Sequence, residues 1–568
     1  MGVFENQRVR DMRGADVIAN ALKAEGVEFV SGVTGGSTMA IYDALHSTNM
    51  RILVCRHERG AADIADGYAR ITGRPGVALV EQGPGAINAL AGIANSFPDS
   101  VPVILLIGGV QQQFVGRTAY QENDLMDLFR TVTKWEMSIP LVERIPEAMR
   151  RAFSVVCAPR PRPVALEIPT NVSGAPCDES TVIYKPLRQK RFRFRADPAD
   201  INRTVDLLLK SKKPMVLAGV GVLCSDATSE LVTLAERLGI PVATTLSGKS
   251  AFPENHPLAL GLGAVLRARY NTKQAAQCAD QTDVVLAIGA GFRQQATKGF
   301  SVLPSGKKII QVDVDPSEFN KTYMTDVAVL GDAKLVLQDL LDALGSKERY
   351  AFWGGAEALK EEIARLKKAT REAWIPDLTS SAIPINSHRV VWELMQVLDP
   401  AKTLMVHDSG SPRGLLCYHW ECPAPKTFMA FGNQSCMGWS VGAAIGAKLG
   451  APDKEVVVLL GDGSFGMAGM EINTAVRNNI KVTFVVLNNN GFDLTRVQAS
   501  RSLHKPPDFP WMRLSGDLSK VAEGLGAHVE RVEEPRALRG AFERAFAAKQ
   551  PAVVEVITMI GAPEATRV

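Results

Sequence analysis

Residues Gly461–Gly491, with the sequence GDGSFGMAGMEINTAVRNNIKVTFVVLNNNG, are the part of the chain from which its fold can be predicted. An apolar run, Val456–Leu460, leads into the glycines at the start, and a second apolar run, Val482–Leu487, leads into the asparagines at the end. A segment of helical character joins the two runs, so the pattern predicts a strand, a turn, a helix and a second strand. Such a βαβ unit places two parallel strands side by side with a right-handed crossover.

Two side chains with hard oxygen ligands come directly after these predicted strands. Asp462 follows the first strand and Asn489 follows the second. The carboxyl ends of neighbouring parallel strands meet at one edge of a sheet, so both side chains should lie at that edge. With the backbone carbonyl of Gly491, they would provide the few protein ligands that Mg²⁺ takes beside phosphate oxygens and water. The phosphate itself would bind at the N-terminus of the following helix, whose N–H groups point toward it, and the glycines allow the backbone to come close to it. The residues predicted to hold it are Gly461, Asp462, Gly463, Ser464, Asn489 and Gly491.

An ordinary tight turn would also account for the Gly-Asp-Gly sequence alone. The asparagines that follow the second strand favour a metal and phosphate site instead. In combination, the two motifs resemble the diphosphate and Mg²⁺ motif of thiamine diphosphate (ThDP) enzymes. The resemblance implies that the phosphate belongs to ThDP, a cofactor that supplies the difficult chemistry while the protein positions it.

A second motif lies near the start of the chain. The segment Val54–Gly73, VCRHERGAADIADGYARITG, closely resembles the first domain of acetolactate synthase and its relatives. In ThDP enzymes a carboxylate at this place hydrogen-bonds N1′ of the aminopyrimidine ring and so promotes loss of the thiazolium C2 proton. The resemblance therefore implies that Glu58 activates the cofactor. On Glu58 alone, a helix-start carboxylate favoured by the helix dipole would be the simpler explanation.

The resemblance extends over nearly the whole chain. Glu81–Asn88 looks like a GPGxxN turn near the pyrimidine, Ala119–Glu122 like an active-site Phe-Gln-Glu, and Gly432–Gly438 like a loop under the cofactor. In that loop Met437 would be the wedge that forces the bent V conformation of ThDP, although a methionine is more often a core residue. The further cofactor contacts implied in this way are Pro84, Asn88, Ser411 and Ser435, and Gln121 is implied as an active-site donor.

Two more residues have alternative interpretations. His57 would be either a donor that faces the substrate or a satisfied structural histidine. Asp493 would act as an acid/base or orient a substrate hydroxyl, or it would be a surface-loop residue. The residues predicted to be catalytic are thus Glu58, Gln121, His57 and Asp493.

The composition limits the class of protein. The 568 residues carry a net charge of +4, with 46% hydrophobic and 22% charged residues, which is ordinary for a globular protein of about three domains. No basic cluster is dense enough for nucleic acid, and a solvated linker is the simpler interpretation of Lys185–Arg195. No apolar run reaches the ~18 residues of a membrane span, the N-terminus lacks a signal-peptide core, and the eight cysteines are scattered. We therefore expect no membrane partner and a cytoplasmic location.

Alternation of apolar strands with helical segments predicts an α/β fold of three Rossmann-like domains, each with a mostly parallel sheet. The resemblance gives these domains their names: a pyrimidine-binding domain (1–175), a central nucleotide-binding-like domain (195–345), a linker (346–387) and a diphosphate- and Mg²⁺-binding domain (388–568). In the central domain, Gly219–Gly221 and Gly289–Gly291 are weak nucleotide signals, for which helix–strand packing is the simpler reason.

Departures from the acetolactate synthase pattern bear on the cofactor and the substrate. Phe292–Gln295 stands where those enzymes carry a Phe-Asp-Asp-Arg run associated with FAD, which argues against FAD. The acceptor-pocket tryptophan is absent near Gln498, and the glutamate of pyruvate decarboxylases is absent near Thr495. Ser464–Glu471 and Asn488–Gly491 resemble 2-hydroxyacyl-CoA lyase and oxalyl-CoA decarboxylase, in which the middle domain binds the ADP part of CoA.

The resemblance implies an Mg²⁺/ThDP-dependent lyase or carboligase that cleaves or forms C–C bonds next to a carbonyl, with a 2-oxo acid or an acyl-CoA as substrate. Decarboxylation of a 2-oxo acid with carboligation, as in acetolactate synthase, is the first alternative. A 2-hydroxyacyl-CoA lyase or oxalyl-CoA decarboxylase is the second, and a catalytically silent ThDP-binding subunit is the third. In this family the glutamate domain of one subunit faces the diphosphate domain of another, which implies a homodimer at minimum and often a homotetramer.

Overall fold

A computed structural model describes residues 12–187, 192–265, 271–345 and 352–561 of the chain. These described residues form three six-stranded parallel sheets with helices between the strands, so the predicted α/β class with three parallel sheets is confirmed. Three segments on which sequence predictions were made lie wholly or partly outside the described residues. They are the N-terminal segment without a signal-peptide core, residues 188–191 of the basic linker and residues 346–351 of the second linker. Within the described ranges, no helix combines the length and the apolar character that a membrane span needs.

The first sheet contains the strands nearest the N-terminus. These strands are β1 Phe29–Gly32, β2 Arg51–Val54, β3 Gly76–Val80, β4 Val103–Gly109, β5 Trp135–Ser138 and β6 Val164–Pro169. The helices around them are α1 Gly14–Ala24, α2 Met39–Ser47, α3 Glu58–Thr72, α4 Pro84–Ser96, α5 Leu125–Phe129, α6 Ile145–Cys157 and α7 Thr170–Ser173. The order in the sheet is β2-β1-β3-β4-β6-β5. The central strands β3 and β4 are buried throughout, as expected where helices cover both faces of a parallel sheet.

The second sheet has the strand order of dinucleotide-binding folds. Its strands are β7 Pro214–Ala218, β8 Val242–Thr244, β9 Ala259–Leu262, β10 Val284–Ile288, β11 Lys308–Asp313 and β12 Val327–Leu330. Its helices are α8 Pro198–Lys210, α9 Val220–Cys224, α10 Thr228–Leu238, α11 Lys273–Gln281 and α12 Ala333–Leu344. The order in the sheet is β12-β11-β10-β7-β8-β9. The strands β7 to β9 are added toward one edge and β10 to β12 toward the other, so the strand order reverses between β7 and β10. Ligands of such sheets bind at the carboxyl ends of the strands next to this change.

The third sheet repeats the connection order of the first. Its strands are β13 Thr403–His407, β14 Phe428–Met429, β15 Glu455–Gly461, β16 Thr483–Asn488, β17 His528–Val532 and β18 Ala552–Ile557. The helices from the linker onward are α13 Ala356–Leu378, α14 Ser387–Val397, α15 Ser411–His419, α16 Trp439–Gly450, α17 Asp462–Ala468, α18 Ile472–Arg477, α19 Asp493–Leu503, α20 Leu518–Gly524 and α21 Leu538–Ala547. The order in the sheet is β14-β13-β15-β16-β18-β17.

The predicted βαβ unit is present in the third sheet. β15 pairs with β16 in parallel, with Gly461 opposite Leu487, so Asp462 and Asn489 follow these strands at the same edge. The connection is not one helix, however, because α17 is followed by a turn at Gly469–Glu471 and then by α18. Glycines recur through this connection, and each costs about 1 kcal/mol of helix stability, which favours the break.

By their contacts, the residues of the chain fall into two compact units. Among the described residues, the first unit comprises 12–187, Phe192, Val441–Gly450 and Asn473–Asn478, and the others make up the second. The second and third sheets therefore share one unit. The predicted boundaries of the three domains stay predictions.

Close packing of helices fixes the position of α3 within the first unit. The first residue of α3 is Glu58, and the C-terminal part of α16 packs against this helix. A Cβ at Gly446 would lie 1.9 Å from the carbonyl oxygen of Ile64, and a Cβ at Gly67 would lie 1.9 Å from the carbonyl oxygen of Ala443. Backbone atoms cannot yield to a Cβ at such distances, so both positions require glycine.

We expect Gly446→Ala to destabilise the first unit, because the new Cβ would force α16 away from α3. The expected loss is about 3 kcal/mol of unfolding free energy, or a fall of about 6 °C or more in the melting temperature measured by circular dichroism. Gly524→Ala is the matched control, since a Cβ there meets nothing within 4 Å. Equal melting temperatures for the two variants would contradict the packing argument.

Candidate active site

His57 precedes Glu58 and caps α3. It adopts an extended conformation (φ −153°), and its Nδ1 accepts a hydrogen bond from the Arg59 N–H at 3.1 Å. A side chain that accepts from the first turn in this way satisfies one of the donors that a helix start leaves open. The structure thus gives His57 a structural contact, and its role toward a substrate stays a prediction.

The carboxylate of Glu58 lies beside the start of α4. Asn88 Nδ2, in the second turn of α4, donates to Glu58 Oε2 at 3.0 Å. A Cβ at Gly85 would lie 3.4 Å from Glu58 Oε1 and 2.9 Å from Glu81 Cβ, so glycine allows the turn to approach both carboxylates. The structure therefore brings Glu58 and Asn88 together at the helix that begins with Pro84.

Gln121 lies in the loop between β4 and α5 and contacts the same turn. Gly83 has φ +54°, and a Cβ on it would lie 2.4 Å from the carbonyl oxygen of Gln121. Gln82 Nε2 donates to the carbonyl oxygen of Tyr120 at 3.0 Å. Two independent contacts thus hold this loop against the turn next to Glu58.

Glu81 is a residue that was not among the predicted site residues. Both of its carboxylate oxygens accept from the Ser37 N–H at 3.1 Å, and a Cβ at Gly35 would lie 1.9 Å from Glu81 Oε2. Glu81 therefore ties the loop after β1 to the turn after β3. Its only signal in the sequence is its place at the start of the Glu81–Asn88 motif.

In the second unit, Asp462 joins the two ends of the βαβ unit. Its Oδ1 accepts from the Gly463 N–H at 2.7 Å, and its Oδ2 accepts from the Gly491 N–H at 2.8 Å. Asp462 is 5% exposed. Burial raises the pKa of its carboxyl, and the N–H groups of Gly491 and Gly463 oppose that rise. A buried carboxylate whose charge is penalised in this way suits a bound cation.

An arginine side chain donates hydrogen bonds to Asn489, which is one of the predicted metal ligands. Arg496 is 1% exposed, and its Nη2 donates to the carbonyl oxygen of Asn489 at 2.9 Å and also to Asn489 Oδ1. The charge of Arg496 also lowers the pKa of Asp462. A cation of the protein itself therefore stands at this site, and Mg²⁺ bound to Asn489 Oδ1 would have to share that oxygen with Arg496 or displace it. No motif in the sequence marks Arg496.

Asp408, directly after β13, is fully buried and was also absent from the predicted site residues. Its carboxylate accepts from the Gly438 N–H at 3.1 Å and from the hydroxyl groups of Ser440 at 2.6 Å and Ser464 at 2.5 Å. These bonds connect the end of β13, the loop that contains Met437 and the first turn of α17. Because the Ser464 hydroxyl donates to Asp408, the predicted phosphate contact of Ser464 is left to its backbone N–H.

Ser411 and Asp493 form one hydrogen-bonded pair. The Ser411 hydroxyl donates to Asp493 Oδ2 at 2.6 Å, and the Gly561 N–H donates to Asp493 Oδ1 at 2.7 Å. Asp493 is the first residue of α19 and is half-buried. The structure therefore gives Asp493 the contacts of an anchor between α15 and the C-terminal segment. Its catalytic role and the diphosphate role of Ser411 stay predictions.

Two apolar side chains cover the Gly-Asp-Gly turn. A Cβ at Gly463 would lie 2.8 Å from Phe492 Cε1 and 3.1 Å from the methyl carbon of Met437. Ser435, two residues before Met437, has φ +55°, and its Oγ accepts from Arg413 Nη2 at 2.8 Å. The structure thus places Met437 against the turn, while the cofactor roles of Met437 and Ser435 stay predictions. Phe492 was not predicted to contribute.

The oxygen ligands in the second unit fit Mg²⁺ with a diphosphate. Asp462 and Asn489 would supply side-chain oxygens, and Gly491 would supply a backbone carbonyl. Among the described residues there is no cluster of three or more His, Cys, Asp or Glu side chains that could hold a metal ion. A site with a single carboxylate agrees with Mg²⁺, which completes its ligands with phosphate oxygens and water.

A cavity of about 80 Å³ lies in the second unit at the carboxyl ends of β7, β8 and β10. The strand order of the second sheet reverses at this place, between β7 and β10. Thr245 and Arg293 line the cavity. Beside it, a Cβ at Gly219 would lie 2.0 Å from the carbonyl oxygen of Gly289, and a Cβ at Gly221 would lie 2.6 Å from Gly289 Cα. These glycines therefore permit α9 to pack against the turn after β10. Helix–strand packing thus accounts for the glycines at Gly219–Gly221 and Gly289–Gly291.

Three family models match the chain, one on each sheet. All three describe the thiamine pyrophosphate enzyme. The model of its N-terminal TPP binding domain matches residues 12–128, that of its central domain matches residues 201–340, and that of its C-terminal TPP binding domain matches residues 408–556.

Curated relatives match nearly the full length of the chain. A probable acetolactate synthase large subunit of Methanocaldococcus jannaschii is 34% identical over 554 residues, which cover 96% of this chain and 92% of the relative. The acetolactate synthase large subunit of Haemophilus influenzae is 29% identical, with 96% and 94% covered. The acetolactate synthase isozyme 3 large subunit of Escherichia coli is 28% identical, with 94% and 92% covered.

We expect Arg496→Met to destabilise the protein in the absence of metal and cofactor, because two oxygens of Asn489 lose a charged donor. The expected loss is about 2–3 kcal/mol, or about 4–10 °C in melting temperature. With Mg²⁺ and ThDP present the difference should shrink, because the metal would take the Asn489 oxygen. Arg501→Met, at an exposed position on the same helix, is the control. An equal loss with and without Mg²⁺ and ThDP would contradict this role of Arg496.

Proposed function

The chain belongs to the thiamine pyrophosphate enzyme family, in its acetolactate synthase-like group, and we propose on that basis that it is an Mg²⁺- and ThDP-dependent carboligase. The proposed reaction takes two small 2-oxo acids, releases CO₂ from one and joins its remaining acyl unit to the carbonyl carbon of the other. The observation that carries the proposal is the hydrogen bond between Asp462 and Gly491, which unites the two parts of the diphosphate motif.

We assign the diphosphate of ThDP to the second unit. Asp462, Asn489 and the Gly491 carbonyl would hold Mg²⁺ on the diphosphate, and the glycines of the turn would admit the phosphate oxygens. Met437, which lies against Gly463, would press the cofactor into its bent form. When bound, ThDP supplies the nucleophilic carbon and the electron sink that decarboxylation of a 2-oxo acid requires.

We assign the activation of the cofactor to Glu58 in the first unit. Its carboxylate would share a proton with N1′ of the aminopyrimidine, which favours the tautomer that takes the thiazolium C2 proton. Asn88 donates to Glu58 Oε2 and so orients the carboxylate for that contact. Gln121 and His57 would bind the substrate, and Asp493 would orient a hydroxyl group that forms in the reaction.

The proposal includes the assembly and the cell compartment. A homodimer at minimum, and a homotetramer in the fuller form, would complete each active site with the diphosphate domain of a second subunit. A cytoplasmic enzyme would keep its thiols reduced, and all eight cysteines are free thiols in the structure.

A second candidate function rests on the cavity at the point where the strand order of the second sheet reverses. Arg293 lines this cavity and would suit the phosphates of an ADP moiety, as a CoA substrate would provide. A 2-hydroxyacyl-CoA lyase or an oxalyl-CoA decarboxylase would use the cavity in this way. The departure at Phe292–Gln295 argues against FAD in the same place.

Product analysis distinguishes the two functions. The protein loaded with Mg²⁺ and ThDP is given pyruvate, 2-oxobutyrate, oxalyl-CoA or a 2-hydroxyacyl-CoA. We expect CO₂ and a branched 2-hydroxy-3-oxo acid from the 2-oxo acids, because carboligation retains the acyl unit. Turnover of a CoA ester alone would favour the second candidate, and no turnover of any substrate would favour a catalytically silent subunit. An absorbance spectrum of the purified protein in the flavin band tests for FAD in the same preparation.

We expect Glu58→Gln to lower kcat about 10²–10⁴-fold, because the amide cannot share a proton with the pyrimidine. ThDP should remain bound in calorimetry, since the diphosphate contacts lie in the second unit. Glu28→Gln is the control, at an exposed glutamate that pairs with Arg74. Undiminished turnover in Glu58→Gln would remove the residue from its assigned role.

A further inference from the structure

A second cavity of the second unit, of about 100 Å³, is lined by residues that have no part in the proposed reaction. We name it the α13 cavity, because α13 contributes Lys367, Thr370 and Trp374 to its wall. Further wall residues come from α11, α14 and α15. α15 begins with Ser411 and ends with His419, which lines the cavity. The cavity and the predicted diphosphate contact therefore lie at opposite ends of one helix about 13 Å long.

Four polar atoms of the cavity wall have no hydrogen-bond partner among the described residues. Two are indole donors, the hydroxyl of Thr370 can donate or accept, and the amide oxygen of Gln274 can only accept; the atoms are Trp374 Nε1, Trp420 Nε1, Thr370 Oγ1 and Gln274 Oε1. Trp374 and Trp420 are 1% exposed. Buried polar groups are nearly always hydrogen-bonded, and an unpaired one costs about 1–3 kcal/mol. Four such atoms belong to residues of one cavity wall, which favours a polar occupant.

Of the three cationic side chains in the cavity wall, Lys367 is the one for which no carboxylate lies within ion-pair distance among the described residues. Lys249 and Glu254 form a buried ion pair at 2.6 Å, and Arg371 pairs with Glu421 at 3.0 Å nearer the surface. Lys367 Nζ instead donates to the carbonyl oxygen of Glu254 at 2.7 Å. Burial lowers the pKa of Lys367, and the carboxylates of Glu421 and Glu254 offset only part of that effect, as expected where a positive charge is poorly solvated. An anion beside Lys367 would remove that penalty.

The histidine of the wall adds no charge at neutral pH. His419 Nε2 lies 2.7 Å from His388 Nδ1, and burial, together with His388, lowers the pKa of His419 to about 3. His419 is therefore neutral above that pH. The surplus charge of the cavity is that of Lys367, which one carboxylate group of a ligand would offset.

The size and the apolar part of the wall define the rest of the ligand. Leu378, Met395 and Trp392 also line the cavity. An apolar cavity of about 150 Å³ binds benzene, so one of about 100 Å³ suits a molecule of about six non-hydrogen atoms or fewer. A carboxylate on a short aliphatic chain has this size, one negative charge and an apolar part.

We propose that the α13 cavity binds a small aliphatic carboxylate with a hydroxyl or amino group on the carbon next to the carboxylate. The carboxylate accepts from Lys367 and from the indole N–H groups of Trp374 and Trp420. The hydroxyl or amino group donates to Gln274 Oε1. This site goes beyond the proposed reaction and does not depend on it, so either can fail alone.

Tryptophan fluorescence measures the binding directly. Three of the seven tryptophans of the chain, Trp374, Trp392 and Trp420, line the cavity. The protein loaded with Mg²⁺ and ThDP is titrated with lactate, with alanine and with propane-1,2-diol, which has the size of lactate but no carboxylate. We expect a saturable change with lactate or alanine and none with the diol. The first two arms decide between the hydroxyl and the amino form.

Variants assign the binding to this cavity. Lys367→Met should weaken the carboxylate about tenfold or more, because it removes the charged donor. Thr370→Val, of nearly equal shape, should weaken it less. Lys368→Met is the matched control, since the next lysine of α13 is 79% exposed and should leave the affinity unchanged. Turnover of pyruvate, if present, should be the same in all three variants.

Two results would overturn the proposal. The first is the absence of any saturable change with lactate and with alanine, in which case the polar atoms of the cavity are satisfied by water. The second is a change that persists unaltered in Lys367→Met, which would place the carboxylate elsewhere. Thermal melting is the second readout, because lactate or alanine should raise the melting temperature of the unsubstituted protein but not that of Lys367→Met.

Discussion

The parallel pairing of β15 with β16 is the constraint on which the candidate diphosphate site depends. Gly461 lies opposite Leu487, so the residues that follow the two strands emerge at one edge of the sheet. A register shift of one residue would turn each side chain of a strand to the opposite face. With the observed register, Asp462 reaches the Gly491 N–H at 2.8 Å directly.

The same edge of the third sheet holds three buried charges, and they are compensated to different degrees. Asp408 is fully buried and accepts from hydroxyl as well as backbone donors. Arg496 donates to oxygens of Asn489. Asp462 accepts from the backbone N–H groups of Gly463 and Gly491, and burial raises the pKa of its carboxyl. Buried charge is costly unless it is paired, so the incomplete compensation at Asp462 is where an added cation stabilises most.

Residues with a local pattern could be predicted from the sequence, and residues with distant partners could not. The apolar run Val456–Leu460 and the glycines after it predicted the βαβ unit, because strand and turn preferences act within a few residues. Glu81 was missed because its partner Ser37 belongs to another strand–helix connection, and Asp408 was missed because Ser464 comes from another strand end. The break between α17 and α18, at Gly469–Glu471, was also missed, although the glycines of the segment favour it.

The first and third sheets show why the fold class alone does not determine the chemistry. Their strand orders are equivalent, and the turn at Gly83 follows the strand β3 that corresponds to β15. At both turns glycine admits a close neighbour, which is the backbone of Gln121 in one case and the ring of Phe492 in the other. The residue after the first glycine is Pro84 in one turn and Asp462 in the other, so a carboxylate stands between the two glycines only in the second turn. The shared topology supplies the strand ends, and the side chains placed there differ, as the separate pyrimidine and diphosphate roles proposed for the two turns require.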